Sequence, residues 1–237
     1  MAVQLNDLTS LYEPFLFESG NGIVRLKEKQ NKSNGLAGVD LRIDGPFIFL
    51  TPNFLEHTKD LYKRKGENIS LKTNNDGTLL IDDIEGNHYL VYIELKSGFT
   101  KVSSKAIHQI PVSSIKIKSY LRNLASYVPG EYKELGLIIS YPPQASDKLD
   151  AENNDMVFDA KQAYIDGQTH SQANAIDQSL RRNGVAIIQA SDFPTLFQAT
   201  FHPDIQFQEM PVFHKSVTAN GETIDLTPLL KQVVESI

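Results

Sequence analysis

Cysteine is absent from the 237-residue chain, which excludes disulfides and thiolate metal sites and suits a reducing, cytoplasmic compartment. Any bound metal must then be held by carboxylates, with or without some of the six histidines. Long apolar runs are missing too. None approaches the roughly 20 residues that span a bilayer, so no membrane association is expected. The opening MAVQLNDLTSLYEPFLF lacks a basic start, an apolar centre and a small-residue cleavage site, and no secretion signal is expected. There is no phosphate-cradling glycine loop to serve a built-in ATP motor, and neither a Gly-x-Ser-x-Gly element nor a cysteine nucleophile. No internal repeat or long low-complexity linker divides the chain.

What remains is an ordinary globular composition, 41 % hydrophobic and 22 % charged. A net charge of −6 argues against a generic nucleic-acid binder, but its distribution is uneven. Residues 59–133 carry 12 basic and 8 acidic side chains, whereas 134–237 carry 6 and 14. The middle segment is compatible with a phosphate-facing patch or simply with a solvated surface of uneven charge.

Along the chain, PFIFLTP (46–52) reads as a short strand and NFLEHTKDLYKRKG (53–66) as a helix capped by Asn53. Strands are expected at NISLK (68–72), TLLIDDI (78–84) and YLVYIELK (89–96), the last two joined by the turn EGNH. A helix follows, with Pro111 breaking it or opening its second half. Further strands are expected at LGLIIS (135–140) and VAIIQA (185–190). Between them lie an acidic loop (147–159) and a helix around SQANAIDQSLRRNG that stops at Asn183–Gly184. The order favours one α/β domain over 1–237, a mixed sheet flanked by helices. It divides into an N-terminal β-containing elaboration (about 1–52), a core (about 53–145) and a C-terminal α/β extension (about 146–237).

The stretch YLVYIELKSG runs five apolar or aromatic residues into Glu94 and Lys96, which alternation places on one face of a strand. The preceding strand ends in Asp82 and Asp83. An even turn count would put Asp83 on the Glu94 face and an odd count Asp82, so both stay in play. An Asp and a Glu beside an ammonium can hold Mg²⁺, which takes oxygen ligands and keeps several waters. The metal acidifies a water and offsets phosphate charge, while the lysine orients that water or stabilises the developing charge. Such a set suits metal-dependent hydrolysis of a phosphodiester.

These residues resemble the active-site hairpin of the PD-(D/E)XK nuclease superfamily, the restriction-endonuclease-like fold. In that pattern an Asp is followed, after a spacer of some ten to thirty residues, by Glu-x-Lys at the end of the next strand, then a helix and another strand. The resemblance covers about 59–141. It implies Asp82 or Asp83 as first metal ligand, Glu94 as second, the Leu95 carbonyl as an extra ligand and Lys96 as the catalytic lysine. Gln109 stands where a supporting glutamine on the following helix would be sought. Ile81 replaces the proline that gives the motif its name, as in many members. The implied activity is a Mg²⁺- or Mn²⁺-dependent nuclease, with an endonuclease and DNA over RNA favoured. Members serve restriction, repair, recombination and antiviral defence. With no motor or DNA-reading module in the chain, a separate motor or sensor protein is an expected partner, and a homo-oligomer is compatible. The acidic C-terminal third could dock that partner or merely keep the protein soluble.

Glu-x-Lys alone is a cheap signal, since Glu131–Lys133 and Asp159–Lys161 match it without a preceding apolar strand. The plain alternative for Glu94 and Lys96 is an exposed strand end with a weak ion pair. Lys101, Lys105, Lys116 and Lys118, with Arg122, are candidates for nucleic-acid contact or for a solvated face. VDLRIDG (39–45) reads as an edge strand and turn, and Glu56 as a solvated glutamate. His57, His88 and His108 flank the proposed site without metal-ligand spacing. The rival class is a non-catalytic binding or scaffolding protein that kept the fold. A site held shut until a partner arrives would look the same in isolation.

Overall fold

The computed structural model describes residues 3–27, 36–56, 73–83, 85–98, 106–142, 170–194, 196 and 201–235. In chain order the elements are α1 (Leu5–Leu11), β1 (Phe17–Lys27), β2 (Gly38–Leu50), α2 (Pro52–Glu56), β3 (Gly77–Asp82), β4 (His88–Lys96), α3 (Ile107–Leu121) and β5 (Tyr132–Ser140). Then follow α4 (His170–Asn183), β6 (Val185–Gln189), β7 (Glu209–Ser216), β8 (Thr223–Asp225) and α5 (Thr227–Glu235). The strands form one mixed sheet in the order β1-β2-β3-β4-β5-β7-β6, with β8 beside β2. Pairing is antiparallel from β1 to β4, parallel across β4, β5 and β7, and antiparallel again at β6.

β4 lies at the centre, and its residues explain why. A strand covered on both faces is apolar at both parities rather than alternating. Leu90 and Tyr92 face a cluster with α1, α2, α3 and α4, while Tyr89, Val91, Ile93 and Leu95 face a second cluster with α5. Parallel neighbours need a crossover, and α3 supplies it between β4 and β5. Gly184, at φ +69°, ends α4 with its N–H on the Leu180 carbonyl (3.1 Å), as Asn183–Gly184 predicted.

Several expectations are sharpened. Pro111 neither breaks α3 nor opens it; the helix runs through a buried Pro111, with Ile107, Ile110, Val112 and Ile115 buried around it. The strand expected at 46–52 and the edge strand at 39–45 are one 13-residue β2. Its first half pairs with β8 and its second with β3. The N-terminal and C-terminal segments contribute β1, β2, β6, β7 and β8 to the sheet that holds β4. The helix expected at 53–66 is seen as Pro52–Glu56, its remainder and the strand at 68–72 lying outside the described residues, as does the acidic loop. No helix among the described residues is long and apolar enough to cross a membrane.

Candidate active site

In the β3–β4 hairpin Gly77 pairs with Ile93 and Asp82 with His88. Asp82 therefore sits at the turn, six residues from Glu94, or about 20 Å along the strand at 3.3 Å per residue. Asp82 and Asp83, the alternative candidates to share a metal with Glu94, are thus both at the wrong end of the hairpin. The face argument holds, but a face is not a position along the strand. Carried one residue past Gly77, the register sets Asp76 opposite Glu94. Its N–H donates to the Ile93 carbonyl (2.9 Å), and its carboxylate accepts from the Leu95 N–H (2.8 Å). Asp76 was missed because NNDG reads as a turn, yet reflecting Glu94 through the hairpin turn lands in that stretch. Gly77 beside it has a steric reason: a Cβ there would lie 2.7 Å from Phe49 Cζ.

Glu94 and Lys96 extend the row of Leu90 and Tyr92 on the α3 side of the sheet. Lys96 Nζ contacts Glu94 Oε1 and donates to Gln109 Oε1 at 2.9 Å, while Gln109 Nε2 donates to the Asn74 carbonyl at 2.8 Å. Gln109, on the helix that follows the hairpin, thus meets the lysine. Among the site residues expected from the sequence, the structure brings together Glu94, Leu95, Lys96 and Gln109, and adds Asp76.

Glu94 is 1 % exposed. Burial pushes its carboxyl well above the usual carboxylate range, and the Asp76 charge adds to that; Lys96 and Gln109 pull the other way without prevailing. Its Oε2 is buried and has no hydrogen-bond partner among the described residues. Burying a carboxylate oxygen unpaired is costly. A cation held by Oε2 and Asp76 would remove that cost, and an all-oxygen donor set suits Mg²⁺ or Mn²⁺ over softer metals. No group of three or more His, Cys, Asp or Glu side chains is assembled among the described residues. A two-carboxylate site would take its remaining ligands from water, backbone and phosphate, as Mg²⁺ commonly does.

The turn end is built differently. Asp83 accepts from the Glu85 and Asn87 N–H groups (both 2.8 Å), Asn87 Nδ2 (3.0 Å) and the Tyr89 hydroxyl (3.0 Å). Burial alone would raise this carboxyl, but the bonds from Asn87, Tyr89 and Glu85 together hold it below its ordinary value. Its acceptor capacity is spent on the turn. Asp82 pairs with His88 Nδ1 at 2.7 Å.

The lysines of α3 are corrected as well. Lys116 is fully buried, its Nζ donating to the Thr73 carbonyl (2.9 Å) and Asn74 Oδ1 (2.6 Å). Lys118, also buried, bonds Glu134 Oε1 (2.6 Å) and the Gln206 carbonyl (2.8 Å). Neither offers a free ammonium to a nucleic acid, because 12 of the 15 residues of α3 are buried and the helix has no broad solvated face. Arg122 pairs with Asp204 at 3.1 Å. His108 is buried within α3, and Lys101, Lys105 and His57 lie outside the described residues. Comparison with protein-family models, with curated proteins and with solved structures finds no match to this chain.

Proposed function

We propose that the protein is a Mg²⁺- or Mn²⁺-dependent nuclease of the restriction-endonuclease-like fold. DNA is its favoured substrate and a restriction, repair or antiviral defence system its setting. The observation that carries this reading is the convergence of Asp76, Glu94, Lys96 and Gln109 at one end of a hairpin, with Glu94 Oε2 buried and without a hydrogen-bond partner among the described residues. The order hairpin, helix, strand (β3–β4, α3, β5) is the order the resemblance implies.

Asp76 and Glu94 would hold the cation, with the Leu95 carbonyl beside them. The bound ion supplies charge neutralisation at the phosphate and a more acidic water. Lys96, whose side chain is 12 % exposed, keeps a donor at the edge of the site and can orient the attacking water or stabilise phosphate charge. Gln109 fixes the Lys96 rotamer, which matters because a small misplacement of a catalytic group is costly in rate. A scaffold that merely kept the fold has no use for a desolvated, half-bonded Glu94.

The test is cleavage of supercoiled plasmid, linear duplex, single-stranded DNA and RNA in Mg²⁺ and in Mn²⁺, with Asp76→Asn, Glu94→Gln and Lys96→Ala beside the parent. Metal-dependent cutting lost in all three variants supports the reading. Cutting that survives in them assigns the activity elsewhere.

A further inference from the structure

The helix α3 carries a row of polar groups of which the proposed chemistry uses only Gln109. Gln109, Ser113 and Lys116 are spaced i, i+4, i+7 and so share one helix face. All three grip the short segment before Asp76. Gln109 Nε2 donates to the Asn74 carbonyl (2.8 Å), and the Asn75 N–H donates to Ser113 Oγ (2.9 Å). Lys116 Nζ donates to the Thr73 carbonyl and to Asn74 Oδ1. Asn75 in turn reaches forward, its Nδ2 donating to Thr78 Oγ1 (2.9 Å) and to the Gly77 carbonyl. Every residue from Thr73 to Asn75 is thus tied to α3 on one side or to β3 on the other.

We propose that Lys116 and Ser113 are positioning residues that set Asp76 against Glu94, an inference that rests on the nuclease reading of the site. A buried ammonium is costly to keep, and a helix whose only task was packing would carry an apolar side chain there. Gln109 bonds both Lys96 and Asn74, so α3 locates the lysine and the Asp76 segment from one rigid body. The carboxylate set is fixed before any ligand arrives, and neither Lys116 nor Ser113 touches the reacting groups.

The Leu95 N–H reports on this directly, because its acceptor is Asp76 Oδ2. The experiment measures hydrogen exchange at the Leu95 amide and Mn²⁺ affinity by calorimetry, in full-length Lys116→Met, Ser113→Ala and the parent. Lys116→Met is expected to speed Leu95 exchange by about tenfold while β5 amides keep their protection, since one lost hydrogen bond is of that order. Mn²⁺ affinity should fall by a similar factor. Unchanged Leu95 exchange in a folded variant overturns the proposal, as does Mn²⁺ affinity equal to that of a parent that binds it. If Lys116→Met does not fold, Ser113→Ala carries the same two readings. A parent that binds no Mn²⁺ sinks the nuclease reading, while Leu95 exchange still decides whether the helix positions Asp76.

Discussion

The two ends of the β3–β4 hairpin each hold a pair of acids, and they are built on opposite principles. At the turn, Asp83 has four hydrogen-bond donors and Asp82 a histidine, so both carboxylates have partners. At the open end, Glu94 is desolvated, faces a second acid and has one oxygen without a hydrogen-bond partner among the described residues. One end spends its acids on structure. The other keeps its acids costly, which is how sites awaiting a ligand commonly differ from sites that only hold a fold.

The largest expected break in this comparison is in activity. Asp76→Asn should lower metal-dependent cleavage by about 10³-fold, the size of a lost general-base or electrostatic contribution. Asp83→Asn should stay within about twofold, a substitution remote from the chemistry. Plasmid nicking rates decide it, and equal losses would return the site to the turn. Next comes metal linkage. Saturating Mn²⁺ at 100 times its dissociation constant should stabilise the parent by about 2.7 kcal/mol and Asp83→Asn equally, but not Glu94→Gln. Thermal unfolding with and without Mn²⁺ measures this.

Stability without metal should reverse the ranking. Asp83→Ala removes the acceptor of the turn and is expected to cost about 1–2 kcal/mol. Glu94→Gln relieves a desolvated charge and should be neutral or stabilising by up to about 1 kcal/mol. Denaturant midpoints would show both. The finest distinction is the sign of the pH dependence. Glu94 is raised on folding from its ordinary 4.5, so its contribution is present below that pH and lost as pH climbs through the folded value. Asp83 is lowered from 3.8, so its contribution is present above that pH and lost on acidification. The stability gap between Glu94→Gln and the parent should therefore widen as pH rises above 4.5, and that between the parent and Asp83→Asn should narrow below 3.8. Parallel profiles would mean that the two ends are electrostatically alike.

The hairpin, Glu94, Lys96 and Gln109 were legible in the sequence because periodicity and element order fix which face a side chain takes and which helix follows. Asp76 was not. Finding it needs the distance along the hairpin as well as the face, and the acids nearest the strand end drew attention away from it. Lys116 and Lys118 were misread for a related reason. Charge on a helix suggests a solvated face, but α3 is covered by the sheet on one side, by the Thr73–Asn75 segment near its start and by the Gln206 carbonyl further along. Its lysines are spent on partners far away in the chain, such as Glu134 for Lys118. Long-range partners of that kind leave no periodic trace in a sequence.

The β2–β8 pairing bears on how the molecule comes into being. Ala37 N–H donates to Asn220 Oδ1 across 183 residues, and Asp40 to Arg42 lie alongside Thr223 to Asp225. During synthesis the early half of β2 has no partner for that pairing until residues 223–225 have emerged. Contacts so distant in order are assembled slowly, and a strand waiting for them is open to pairing with other chains. Folding yield should therefore depend more on chaperone capacity and on an intact 220–235 segment than on anything in the β3–β4 hairpin.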